Sequence, residues 1–558
     1  MARIRGLIFG LAGLLIWSMG GGSGFVWAHV EAESGRSSLG VVAENTPLPR
    51  RRVVRVAKKR IIAAAHRLLK RGMDAYRAEK FKEAVIIFYR LAAKKDSLPP
   101  QLVEQVEYWL AKTCFRLGLY STAFSMFKKI VENAKKAKEE RKFFSALKWM
   151  TRIYSASFNT DEFYNFLAEF GRAYEDPYFK KQSRILYILG KYYYDKGELQ
   201  EAVRYFKAIH KRSALYLYSL YYLGVVLERQ NKPANAIRFF QEIERLLDKR
   251  GAVRYGNVLT LARLEIARLY YELNYFAESI DYYRKIPRNS DYWSRSHFEM
   301  AWAQFRYGNP GDALGNLWSF HSPFLKNFYE PELYCLEAII LFSLCHFDEA
   351  TRSIDEFFSI YDGYLKEIKS ILTKPMTAEA FLAAVVDRRR KGGVELEISE
   401  PLVESLLDNK TFLQQSLYVK RLREELALSQ NLSEEFARTK LAKAIQRRVS
   451  EKIPEAVVRA VQTARDSLGR LYKKTRYFRD MVEYIKYEAV SSQKTFLESQ
   501  IRAPLEENVP QYRIVEGVEL IDGSFNWWRF EDEWWRDELG YYKAKVENRC
   551  YQMQENIN

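Results

Sequence analysis

Glycine and proline are scarce in this 558-residue chain, at 27 and 15. Tyrosine (38) and phenylalanine (34) are abundant instead, which points to helices packed by aromatic side chains. Histidine is scarcer still. His29, His66, His210, His297, His321 and His346 are scattered, and none falls at the paired spacing of a helical zinc site. Walker loops, nucleophile elbows and dinucleotide-binding glycine turns are missing from any suitable context. No catalytic, cofactor or metal site is assigned, and the chain reads as non-enzymatic. Only four cysteines occur: Cys114, Cys335, Cys345 and Cys550. Cys335 and Cys345 read as lying on one helix about 15 Å apart, too far to bridge. Buried thiols are therefore expected, with Cys550 unassigned. Disorder is excluded by a composition that is 48% hydrophobic and 15% aromatic.

Acidic residues are in deficit, 70 against 89 basic, for a net charge of +19. Such a balance suits nucleic acid or anionic lipid, and the compartment decides between them. The N-terminus runs "MARIR", then the apolar "GLIFGLAGLLIW", then a Gly/Ser break, then Val26 and Ala28 at the −3 and −1 positions of a small-residue cleavage site. Residues 1–28 therefore read as a secretory signal peptide. The uncharged stretch 6–28 is also long enough to act as an uncleaved membrane anchor, although its glycines favour cleavage. The expected location is the periplasm, where nucleic acid is not a partner. Residues 29–60 read as a linker whose basic runs lead, solvated, into the first helix.

One pattern recurs along the chain. A small residue at Ala84, Ala123, Ala202, Ala236, Ser279, Ala313 or Ala350 follows another twelve places earlier, at Gly72, Ala111, Gly190, Gly224, Ala267, Ala301 or Ala338. A bulky residue stands four places later: Phe88, Phe127, Phe206, Phe240, Tyr283, Leu317 or Ile354. Small residues let two antiparallel helices approach closely, and the bulky ones fill the space towards the next pair. Turns are expected near Gly118, Gly197, Asn231, Asn274 and Gly308. A single pair cannot bury its apolar face, so pairs stack. The anchor spacings are 39, 79, 34, 43, 34 and 37, and the long gap implies a degenerate unit around 141–175.

Over 61–365 the chain resembles tetratricopeptide-repeat (TPR) proteins, with about eight units. The resemblance implies a mainly α fold, a right-handed superhelix of helical hairpins, with a concave face that binds protein. Counting the first small residue of each unit as position 8, that face is implied to use positions 2, 5, 9 and 12. Here these supply Tyr108, Lys112, Phe115, Tyr187, Lys191, Tyr194, Tyr221, Arg268, Tyr271, Arg295, Phe298, Trp302 and Phe305. Rings interleaved with cations favour an acidic or extended protein segment. The other reading of these rings is packing between neighbouring repeats.

Residues 366–505 read as helical and coiled-coil-like. "NLSE" at 431–434 has the form of a cap with Asn431 at Ncap, and Pro454 reads as the opening of a long helix. That helix carries an apolar heptad seam: Val461, Leu468, Thr475, Val482, Ala489 and Phe496 in one row, Val457, Ala464, Leu471, Phe478 and Ile485 in the other. Its expected partner is the chain's own 411–450 region; the alternative is a homo-oligomer through 454–499 or a partner's helix. Residues 506–558 hold twelve acidic and six basic residues, net −6 against +25 for the rest. This Trp-rich element reads as a β-hairpin or small sheet turning at Asp522-Gly523. Trp527, Trp528, Trp534 and Trp535 either cap the helical core or stack on sugars. The leading expectation is a periplasmic scaffold holding envelope proteins of a motility, secretion, pilus or outer-membrane assembly machine. The alternatives are a peptidoglycan- or polysaccharide-binding protein and an envelope hydrolase. In layout the chain is similar to soluble lytic transglycosylases, but it lacks their catalytic Glu-Ser signature.

Overall fold

The computed structural model describes residues 50–158, 160–169, 175, 177–248, 255–386, 398–502, 513–515 and 534–550. The segment read as a signal peptide and the Asp522-Gly523 turn lie outside them. The fold is mainly α. Eight helical hairpins follow one another among the described residues. Repeat 1 pairs Arg50–Arg77 with Phe81–Ala92, repeat 2 Pro100–Arg116 with Tyr120–Lys136, and repeat 3 Glu140–Ser157 with Thr160–Ala168. Repeat 4 pairs Ser183–Asp195 with Leu199–Lys207, repeat 5 Tyr216–Arg229 with Pro233–Asp248, and repeat 6 Gly256–Glu272 with Phe276–Arg284. Repeat 7 pairs Trp293–Tyr307 with Pro310–Trp318, and repeat 8 Glu332–Ser343 with Phe347–Thr373. The first helix starts inside the stretch read as linker, and the last runs past 365. No helix of the described residues is long and apolar enough to cross a membrane.

The recurring residues explain the hairpin. Gly118, Gly197, Asn231, Asn274 and Gly308 each adopt positive φ just after a first helix, which turns the chain back. A Cβ on Gly72, Gly190 or Gly224 would lie 2.6, 2.7 or 2.6 Å from the ring of Phe88, Phe206 or Phe240 in the same hairpin. The other side of that ring meets the following first helix. Phe88 stacks on Trp109, Phe127 on Trp149, and Phe206 on Tyr222. The bulky residue therefore serves both contacts: it lies on its own glycine and against the next repeat. Gly224→Leu would force the Phe240 ring out of this slot, an expected loss of about 1–3 kcal/mol readable as a lower urea midpoint.

The described residues form two compact units. One runs to Phe166 and adds Asp195–Gly197 and Tyr418–Ile453; the other comprises Leu167–Tyr194, Glu198–Leu417 and the chain from Pro454 on. In the first, Tyr418–Ile453 lies along the second helices of repeats 1–3. The buried Glu425 carboxylate accepts from the Ser121 and Thr122 amides at 2.7 and 3.0 Å and from the Thr122 hydroxyl at 2.7 Å. It thus caps Tyr120–Lys136 from outside the hairpin. Arg448 donates to Thr122 and Ser125, Lys452 to Glu162, and Arg90 to Glu435.

In the second unit the later part of the heptad seam faces the second helix of repeat 8, while its start lies by the expected 411–450 region, where Asn409, at the head of Lys410–Asn431, donates to Ser467 at 3.3 Å. Arg479 pairs with Asp362, Lys486 with Asp355, and Gln493 with Asp348. Each seven-residue step along one helix matches a seven-residue step back along the other, the register of antiparallel heptads. Val461, Leu468, Val482 and Ala489 are buried. The buried seam is thus a contact within the chain. Pro454 does not open the helix: it lies inside the continuous helix Lys440–Arg502, where the helix passes from one unit to the other. The cap at 431–434 is also two residues off. Ser433, not Asn431, accepts from the Phe436 amide at 3.1 Å.

The C-terminal element folds onto repeats 7 and 8. Strand β1, Arg513–Val515, pairs antiparallel with β2, Lys543–Lys545, rather than across a local hairpin. The carbonyls of Tyr542 and Ala544 lie so close to Gly315 and Gly311 that a Cβ there would come within 2.0 and 2.4 Å of them. Gly540 fits against His297 and Trp293, and its amide donates to Ser319 at 2.7 Å. Arg288 donates to the carbonyls of Arg536 and Asp537. Cys345 and Cys550 form a disulfide across 205 residues. The expectation of a buried thiol at Cys345 is thus corrected, and the unassigned Cys550 is its partner. Cys114 and Cys335 are buried and free, whereas Cys345 sits, buried, in the turn of repeat 8 at φ 60°, against the docked tail.

Candidate functional site

The first-helix face of each repeat carries the candidate residues, and its two regions differ in chemistry. In repeats 1–3 the Lys112 ammonium lies 3.9 Å from the Trp109 ring centre, 4.9 Å from Tyr76, 5.4 Å from Trp149 and 5.8 Å from Tyr108. Burial, then the charge of Arg152, lowers its pKa from the ordinary 10.5. Arg152 lies over Trp149 at 4.5 Å. Phe115 packs edge-on against Trp149, and Tyr108 accepts from the Trp149 indole at 3.0 Å and bonds Ser145. Among the described residues no carboxylate stands in ion-pair range of Lys112 or Arg152.

In repeats 4–8 the candidate rings mostly pack on each other. Tyr187 meets Phe206, Tyr218 and Tyr222; Tyr194 meets Tyr222 and lies under Arg229. Tyr221 packs on Phe240 and donates to Glu265 at 3.1 Å. Lys191 is half-buried and Phe305 likewise. Phe298, Trp302 and Tyr271 are buried in the core, at 0, 1 and 9% exposure, so they are corrected from ligand contacts to packing residues.

The expected cations are also engaged. Arg268 grips Glu299 with two hydrogen bonds of 2.8 and 2.7 Å and also reaches Glu265. Arg295 bonds Glu299 at 3.0 Å and Glu330 at 2.6 Å, and Lys474 bonds Glu330 in turn. Burial alone would raise the Glu299 pKa, but Arg268 and Arg295 outweigh it and hold the carboxyl at about 2. Glu330 is lowered for the same reason by Lys474 and Arg295. Glu332 faces the opposite balance: burial and Glu330 push it up. This face is a closed chain of ion pairs.

Position 6, outside the set read from sequence, makes the difference. It holds Trp109 in repeat 2 and Tyr222 in repeat 5, but Glu265 in repeat 6 and Glu299 in repeat 7. The Phe127–Trp149 stack, equivalent to Phe88–Trp109, places Trp149 at position 6 of repeat 3 and Arg152 at position 9. Arg152 was not visible in the sequence because Phe163, a core residue, stands where repeat 3 should show its small anchor. In the tail, Trp534 stacks on Trp318 at 5.7 Å and closes the core, whereas Trp535 is 57% exposed. Trp527 and Trp528 lie outside the described residues. No group of three or more His, Cys, Asp or Glu among the described residues is placed to hold a metal ion.

Residues 182–250, most of repeats 4 and 5, match the family model described as tetratricopeptide repeat. Over that stretch the chain is similar to tetratricopeptide repeats. Solved structures of similar repeat type include a tetratricopeptide repeat protein from Parabacteroides merdae, at 15% identity, covering 53% of this chain and 93% of that one with a TM-score of 0.24. The apo form of RapI aligns at 12% identity over 66% and 98% with a TM-score of 0.33, and yeast Tom70 at 13% over 79% and 97% with 0.27. No curated protein matches this chain.

Proposed function

We propose that this TPR protein is a non-catalytic scaffold of the bacterial periplasm, holding protein components of a cell-envelope machine. The observation that carries the scaffold reading is the stacking of successive hairpins within each unit, which presents side chains from successive first helices. Such surfaces bind through extended complementarity rather than a closed pocket. Export is supported by the N-terminal pattern and by the Cys345–Cys550 pair, which suits an oxidising compartment. Motility, secretion or pilus, and outer-membrane assembly machines all fit this description.

The test has two arms. Fractionated cells should yield the mature chain, beginning after Ala28, with the periplasmic contents. The purified mature chain should capture specific proteins from envelope extracts and should not sediment with purified peptidoglycan. Recovery from the cytoplasm would end the localisation. Sedimentation that is abolished by Trp535→Ala would move the function to glycan binding.

A further inference from the structure

We propose that the first-helix face of repeats 2 and 3 is a docking site for an acidic peptide segment, gripped by Lys112 and Arg152 over a floor of Tyr76, Trp109 and Trp149. The inference rests on the scaffold reading and gives it a surface and a ligand chemistry.

Three observations within the first unit converge. First, one side of these repeats is already occupied. Tyr418–Ile453 runs along the second helices, fixed by Glu425 on Ser121 and Thr122, by Arg448 on Thr122 and Ser125, and by Lys452 on Glu162. The first-helix side carries none of these contacts. Second, its two central cations touch rings and no carboxylate. Elsewhere on the equivalent faces the chain supplies the acid itself: the same position 9 that holds Lys112 and Arg152 holds Arg268 in repeat 6, which is clamped by Glu299 and Glu265. A cation left without a counter-charge, beside another cation, lowers its cost by meeting an anion. Third, the rings orient the cations. Lys112 is enclosed by four rings from three repeats, so its ammonium is held in place before any ligand arrives. Little side-chain entropy is then lost on binding.

The chemistry selects the ligand. Carboxylates pair with Lys112 and with the planar Arg152 fork, while the half-exposed Tyr76, Trp109 and Trp149 offer apolar area for side chains between them. An extended strand with acids spaced by apolar or aromatic residues meets both demands. Arg116 sits at the margin, tied to Glu79 and lying over Phe81.

The experiment uses the full mature chain and a fluorescein-labelled decapeptide of alternating Glu and Tyr, with an alternating Gln and Tyr decapeptide as control. Anisotropy at low salt should show binding of the acidic peptide that weakens as salt rises. The Lys112→Gln, Arg152→Gln double variant should bind it at least tenfold more weakly while keeping the circular dichroism and urea midpoint of the parent. Arg152→Lys, which keeps the charge and loses the fork, should fall between. Equal binding of the neutral peptide, or unchanged binding by the folded double variant, overturns the proposal. If the double variant does not fold, Arg152→Gln alone carries the test, since Arg152 is exposed. Capture of envelope proteins that persists undiminished in the double variant would sink this site and leave the scaffold reading standing. Failure of the parent to capture any would sink the scaffold reading itself.

Discussion

Glu299→Leu is expected to lower the stability of the second unit by about 3–5 kcal/mol, because it leaves Arg268 and Arg295 without their shared counter-charge. Glu299 is 7% exposed and also accepts from Tyr283 at 3.2 Å, so no water stands in for it readily. Urea unfolding should show the loss at pH 7. The pH dependence follows from the same carboxyl. Its folded pKa of about 2 lies below the ordinary 4.5, so it contributes stability above 4.5 that disappears as pH falls through 2. The shift corresponds to about 3 kcal/mol. The parent should therefore lose stability between these values more steeply than the Leu variant. Glu332 acts in the opposite sense, since its raised pKa makes the folded state favour the protonated form. A second change, Arg268→Met, should restore much of the loss by removing one of the stranded charges. A Glu299→Leu protein as stable as the parent would show that the ion-pair chain is not closed as described.

Gly315→Leu is expected to expel the C-terminal element. Its Cβ would fall 2.0 Å from the Tyr542 carbonyl and 2.6 Å from the Lys543 Cα, and backbone atoms have nowhere to move. Loss of this seat also removes the Trp534–Trp318 stack and the Gly540–Ser319 bond. Trypsin should then cut at Lys543 and Lys545, sites paired in β2 of the parent. The Cys345–Cys550 link should keep the fragment attached, so the cut should appear only on a reducing gel. Unchanged resistance to trypsin would contradict the docking.

Much of this fold was legible in the sequence. Small residues, bulky residues and turn formers recur because each hairpin repeats one packing problem, and Gly118 or Asn231 reports its turn directly. Repeat 3 was blurred because Phe163 fills the small position and Phe158 takes the left-handed turn without being Gly or Asn. Heptads announced that a seam would be buried but could not point to the second helix of repeat 8: Asp348, Asp355 and Asp362 look like ordinary surface acids until their spacing is set against 493, 486 and 479. The site was half legible. Rings and cations stood at the expected positions, yet their availability depended on the neighbour at position 6. A Trp there leaves Lys112 without an acid, and a Glu there consumes Arg268. The tail was least legible, since Cys345 meets Cys550 and Gly315 meets Tyr542 only through contacts more than 200 residues apart.

Hydrogen–deuterium exchange of the full mature chain, with and without the Glu/Tyr decapeptide, tests the central division most directly. The open face should gain protection in Pro100–Arg116 and Glu140–Ser157, while the ion-paired helices Gly256–Glu272 and Trp293–Tyr307 stay unchanged. Protection confined to those latter helices, or to 534–550, would contradict it.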